Sequence, residues 1–94
     1  MSLEGKKMEN LLLSIGMDME DIIDNYTLFA SVGVHKIISI IDLLKMYNCN
    51  NDFIKECLLT KTNIFAYELE RLSYVLESII SNGDMIEEVL LEII

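Results

Sequence analysis

The chain has no proline and no tryptophan, a single arginine (Arg71), a single histidine (His35) and only two cysteines (Cys49 and Cys57). Each shortage excludes something. Proline breaks helix interiors, so its absence leaves long stretches free to be helical. A protein that neutralises nucleic-acid phosphates needs clustered lysine and arginine. Here seven Lys and Arg stand against sixteen Asp and Glu, a net charge of −9. One histidine with two cysteines falls short of the four closely arranged ligands that zinc requires. Two thiols without a signal-type segment predict a reducing, cytoplasmic setting rather than a disulfide framework. The run Leu11, Leu12, Leu13 is too brief for a secretory apolar region. No apolar run approaches the ~18 residues of a membrane span, since Ser39, Asp42 and Lys45 interrupt the longest, and no membrane partner is expected.

What is present is apolar and acidic. The 94 residues are 52% hydrophobic, enough for one core and too many for a disordered chain. A domain of this size buries roughly 60–65% of the surface its unfolded chain exposes, so its stability is modest. The acidity is uneven: residues 1–30 carry net −4, residues 31–63 net +1 and residues 64–94 net −6. Residues 1–7 are polar and aperiodic and are expected to be a tail, partly left over from expression. Residues 8–94 are expected to form a single helical domain.

Apolar spacing predicts an all-α chain of about six helices, short and long alternating, as stacked helical-repeat pairs or a compact helical bundle. The first runs over residues 8–15 and stops at Gly16, a residue able to take positive φ. Asp18 caps a second over 19–26, with Ile22 and Ile23 inward. Residues 27–30 break the pattern, and Ser31 is the expected cap of a long helix over 32–47. Its face is Val34, Ile37, Ile38, Ile41 and Leu44, widened by Ile40 and Leu43. Asn50 or Asn51 caps a helix over 52–61 that turns Phe53, Ile54, Cys57 and Leu58 inward. Residues 62–65 are a second break. A helix over 66–82 follows, with Leu69, Leu72, Val75, Leu76, Ile79 and Ile80 inward, and Gly83 stops it. Asp84 and Glu87 make an acidic capping pair for a last helix from Met85. The two long helices should be the longest elements and should pack together.

The layout repeats. The pairs Leu28, Phe29 and Ile64, Phe65 are 36 residues apart, and the turn residues Asn48 and Gly83 are 35 apart. Each unit reads as turn, short helix, break, long helix, turn. This order resembles the mitochondrial transcription termination factor family. That family's repeat has a leucine-glycine turn, a short helix, a proline with a hydrophobic pair, and a longer helix. The matching elements are Ile15 and Gly16, Leu28 and Phe29, Ile64 and Phe65, and Asn82 and Gly83, across about residues 11–94. The family's proline positions hold Thr27 and Asn63, and its basic groove residues have no evident match. The resemblance implies a right-handed stack of helix pairs and, as an alternative function, nucleic-acid binding of the termination-factor type. The candidate stripe for that alternative is Lys36, Lys45, Lys55 and Lys61 in the near-neutral middle unit.

No catalytic, metal or cofactor set stands out. His35 and Cys49 lie at opposite ends of the long middle helix, ~21 Å apart at 1.5 Å per residue, so they cannot form a nucleophilic pair. The acids Asp18, Glu20, Asp21 and Asp24 lack the alternating ligands and central glycine of an EF-hand loop, and suit a helix start. Cys49, in a turn, is expected to react before the inward Cys57. The leading expectation is a small acidic protein-interaction module without enzymatic activity or cofactor. A ligand-binding or enzymatic helical bundle is the further alternative. The expected partner is a protein, most simply a second copy in a homodimer, with nucleic acid disfavoured by the charge. The candidate interface is the last helix: Ile86, Val89, Leu90 and Ile93 on the inner stripe, with Leu91 and Ile94 left off it to be covered.

Overall fold

The computed structural model describes residues 3–94. Among the described residues there is no strand. The elements are α1 Leu3–Ser14, α2 Met19–Asp24, α3 Tyr26–Val32, α4 Val34–Met46, α5 Asn51–Thr60, a 3-10 helix Thr62–Ala66, α6 Leu69–Ser81 and α7 Ile86–Ile93. The all-α expectation holds. Among the described residues, helices α4 and α6, at 13 residues each, are the longest, and they pack against each other.

Three turns of one design punctuate the chain. After α1, the Gly16 N–H donates to the Leu13 carbonyl (3.1 Å) and the Met17 N–H to the Leu12 carbonyl (3.2 Å). After α4, Asn48 and Cys49 donate to Lys45 (2.9 Å) and Leu44 (3.1 Å). After α6, Gly83 and Asp84 donate to Ile80 (2.9 Å) and Ile79 (3.1 Å). Each pair of bonds satisfies carbonyls that the helix end would otherwise leave open, and each requires a positive φ at the first donor. Gly16 and Gly83 adopt φ of 96° and 81°, and Asn48 adopts 65°. Two residues beyond each of these the next helix is capped. The Asp18 carboxylate accepts from the Asp21 N–H (2.8 Å), and the Asn50 side chain accepts from the Phe53 N–H (2.8 Å).

The third cap departs from expectation. Met85 stands at the cap position of α7, with no side-chain bond, so Asp84 and Glu87 do not form the capping pair. Glu87 instead reaches across to the N-terminus of α5, where its carboxylate accepts from the Asn50 N–H (3.1 Å) and the Asn50 side-chain amide (3.4 Å). A carboxylate at that position favours α5 through the helix dipole and ties α7 to the α4–α5 turn.

Two further expectations need correction near the N-terminus. Of the expected tail, Met1 and Ser2 lie outside the described residues, while residues 3–7 are helical and α1 starts five residues early. Lys6 and Lys7 are good helix formers, and Gly5, Met8, Leu12 and Ile15 form one buried stripe at helical spacing. The second correction concerns residues 27–30. They are not a break but the body of α3, and Ser31 lies inside that helix rather than capping α4. The break falls at Gly33, with φ 95° and ψ 146°, and α3 and α4 meet there at 89°. Only glycine takes that conformation without steric cost. The later break is wound into the 3-10 helix. The two hydrophobic pairs 36 residues apart come together across the units, with Phe29 and Phe65 meeting edge to face at a centroid distance of 6.1 Å.

Helix α4 is the hub. It packs against α1, α3 and α6 and fully buries Ile37, Ile40, Ile41 and Leu44. From its two ends the ammonium of Lys36 donates to the Tyr67 carbonyl and the hydroxyl of Tyr47 to the Glu77 carboxylate. Elsewhere the buried face is narrower than expected: Ile22, Leu72, Leu76 and Ile79 are buried, but three neighbours assigned inward are not. Ile23 is 66% exposed, Ile80 47% and Leu69 37%, so none of the three is core. Among the described residues no single helix is long and apolar enough to cross a membrane.

The turn geometry makes a paired prediction. A Cβ at Gly33 would meet no atom within 4 Å, so Gly33→Ala tests backbone conformation alone. It should lower stability by about 1–3 kcal/mol. Gly83→Asn should cost well under that, because Asn48 already occupies the equivalent turn position. Urea denaturation of the two variants distinguishes them, and equal losses would contradict the assignment of the turns.

Candidate functional site

The six interface candidates on α7 divide in the structure. Ile86 and Leu90 are buried, while Val89, Leu91 and Ile94 are half-buried against the core. Ile93 is 48% exposed and is the residue left uncovered. The expectation that Leu91 and Ile94 would lie off the stripe, with Ile93 inward, is therefore reversed. The Glu87 bond to the α5 cap accompanies this rotation of α7.

Beside Ile93 lies a groove of about 280 Å³ between α6 and α7, lined by Tyr74, Val75, Ser78, Ile79, Asn82, Asp84, Val89 and Ile93. Tyr74 stands 71% exposed at its edge. The repeat gives the groove its meaning. Thirty-five residues separate the matching turn residues Asn48 and Gly83, and the same separation relates Val75, Ile79, Val89 and Ile93 to Ile40, Leu44, Ile54 and Leu58. Those four counterparts are all 0% exposed. The first unit has this line closed over by the rest of the chain. In the second unit Ile79 is buried, but Val75 and Val89 are only half-buried and Ile93 is 48% exposed. Tyr74 was not singled out by sequence, and Val75 and Ile79 were read only as core. Sliding the sequence on itself by the turn spacing would have found them.

The acids are distributed unequally about the groove. On α7, Glu88 and Glu92 each precede a lining residue and lie just outside it by helical phase, and Asp84 sits at the groove's end. Their carboxylates make no hydrogen bond or ion pair among the described residues. Arg71 lies one turn before Val75 on the same side of α6, beyond the opposite end.

The lysine stripe is not gathered on one surface. Lys36 and Lys45 are nine residues apart on α4, which turns them about 180° from each other. Lys36 is also engaged by the Tyr67 carbonyl. Lys55 is half-buried on α5, and Lys61 follows that helix as its C-terminal cap residue. His35 is exposed in the first turn of α4. Among the described residues no three His, Cys, Asp or Glu side chains lie together as a metal-holding group.

Both thiols are free and buried, at 7% exposure for Cys49 and 0% for Cys57. Cys49 is in the turn as expected, but its side chain is tucked under the α4 end that its own N–H closes. Burial, helped by the charge of Glu87, pushes the Cys49 thiol up to about 11. Burial pushes Cys57 up to about 12, aided by Cys49 and Glu56. The burial that raises both thiols disfavours the reactive thiolate at neutral pH. The Glu77 carboxylate, accepting from the Tyr47 hydroxyl, raises that phenol as well.

Comparison of the chain with protein-family models, curated proteins and solved structures finds no match.

The thiols make the prediction here. A thiol reagent should modify Cys49 before Cys57, and both far more slowly than in the urea-unfolded chain. The Cys49 rate should climb about tenfold per pH unit from neutrality until its thiol titrates. The fold favours the neutral thiols, so their contribution to stability is full below the ordinary value of 9.0 and is lost as pH rises towards 11–12. The thermal midpoint should therefore fall above pH 9, and the fall should be smaller in a Cys49→Ala, Cys57→Ala variant. Fast labelling of Cys57 in the native protein would show that α5 is phased wrongly.

Proposed function

We propose that the chain is a small helical-repeat interaction module whose docking face is the α6–α7 groove, and that the face takes a helix from a protein partner. One observation carries the reading: four apolar residues of the groove, Val75, Ile79, Val89 and Ile93, stand at positions whose counterparts one unit earlier are completely buried. In a stacked repeat each unit buries its apolar face against a neighbour, and a face open to water is normally polar. The second unit presents instead an apolar cleft with Tyr74 and Ile93 exposed at its edges. A cleft between two helices matches the apolar stripe of a third. The reading requires no catalytic group.

With no partner present, the same face offers a second copy the first opportunity to cover it. Repulsion between copies of net −9 opposes that pairing, and salt relieves it because exposed charges are screened beyond ~8 Å at physiological ionic strength. The chain should therefore be monomeric in low salt and dimerise at roughly tens of micromolar in high salt, as a small interface would. Ile93→Glu should abolish the dimer and leave the circular dichroism and thermal midpoint nearly unchanged, since Ile93 is not core. Leu91→Glu should lower the midpoint, because Leu91 packs against the core. Light scattering across salt concentrations reads the result. Monomers under all conditions, combined with no binding of an added amphipathic helix, would remove the groove as a docking face.

A further inference from the structure

We infer that the helix this groove accepts is basic: an apolar stripe at i, i+3, i+4 and i+7 flanked by lysine or arginine. The inference rests on the reading of the groove as a helix-docking face and adds the chemistry of its occupant. Three observations carry it. The cleft is apolar at its centre, where Val75, Ile79 and Val89 line it, so the occupant presents an apolar stripe. One wall is acidic. Glu88 and Glu92 stand outside Val89 and Ile93 on α7, Asp84 closes one end, and no cation among the described residues answers them. Other acids nearby are committed elsewhere, Glu77 to the Tyr47 hydroxyl and Glu87 to Asn50, and the three groove carboxylates are not. Residues 64–94 carry net −6 in all, so the field over this end of the molecule is negative.

Apolar burial alone would accept any amphipathic helix. The acids make the choice. Glutamates on an occupant would face the α7 wall with like charge, whereas lysines would meet unpaired carboxylates at the rim. Rim charges act mainly on specificity and association rate, and their effect is salt-dependent. Arg71, beyond the far end of the groove, is the local exception. It favours an occupant whose acidic end or C-terminus lies there, and so one orientation along the groove.

The test uses three synthetic helices of about 14 residues, long enough to span α6 at 1.5 Å per residue. They share one leucine stripe and differ only in flanks of Lys, Gln or Glu. Binding to the full chain is followed by fluorescence anisotropy at low and high salt. The Lys-flanked helix should bind at least tenfold tighter than the Glu-flanked one at low salt, and the ratio should shrink in high salt. Ile93→Glu with Tyr74→Glu should remove binding of all three. Glu88→Lys with Glu92→Lys should reverse the preference, and both carboxylates are exposed and unbonded, so that variant should stay folded. Equal affinity for the three helices would overturn the charge inference and leave helix docking standing. Binding of none would overturn both. A dimer that persists at low salt and excludes the helices would overturn the inference by identifying the occupant as a second copy.

Discussion

Everything in this fold leans on the burial of α4. Four of its side chains lose all contact with water, and they do so against three different helices. At roughly 25 cal/mol per Å² of apolar surface removed from water, a side chain of that size contributes about 2 kcal/mol, so no other element of this small domain holds as much. The helix cannot be stable in isolation, since thirteen residues rich in β-branched side chains are marginal in water. It exists because α1, α3 and α6 surround it.

That dependence explains the placing of the turns. A helix buried on several sides must have neighbours brought back onto it from both ends. Gly33 swings α3 across the start of α4 at 89°, and Asn48 reverses the chain at its end. The same reversal recurs after α1 and α6, so the molecule is built from one turn used three times with different helix lengths between. It is elongated, 44 × 22 × 19 Å, as a stack growing along one direction would be. Helix contacts run from α1 through α4 to α6 and α7. The C-terminal end is where the apolar line that is buried in the first unit comes to the surface in the second, and it is also where the net negative charge is greatest.

Much of this was legible in the residues. Helix spacing identified every α-helix except α3 as a separate element. Glycine and asparagine at the right offsets located all three turns; Asp18 declared itself as a cap, and the next cap was narrowed to Asn50 or Asn51, because short polar side chains reach a backbone N–H three residues on. The missed hinge had a signal too. Gly33 sits between two apolar helical stretches, but nothing in the residues around it says whether a glycine is being used for its positive φ or merely tolerated. The candidate site was half legible: α7 was recognised as the element with unfinished business, but the residue facing outward was misassigned.

The difference has a physical reason. The sequence by itself determined which stretches are helical and where they stop, because helix formation and capping are settled within a few residues. It also determined that two units of similar design follow one another. Only the tertiary structure decided the rotation of α7 about its own axis. Its apolar residues cover more than half its circumference, so several rotations bury similar area. A long-range polar contact accompanies the one adopted, the Glu87 carboxylate on Asn50, thirty-seven residues away. With that contact in place Leu91 and Ile94 turn to the core and Ile93 to the groove, and no local pattern encodes so distant a partner.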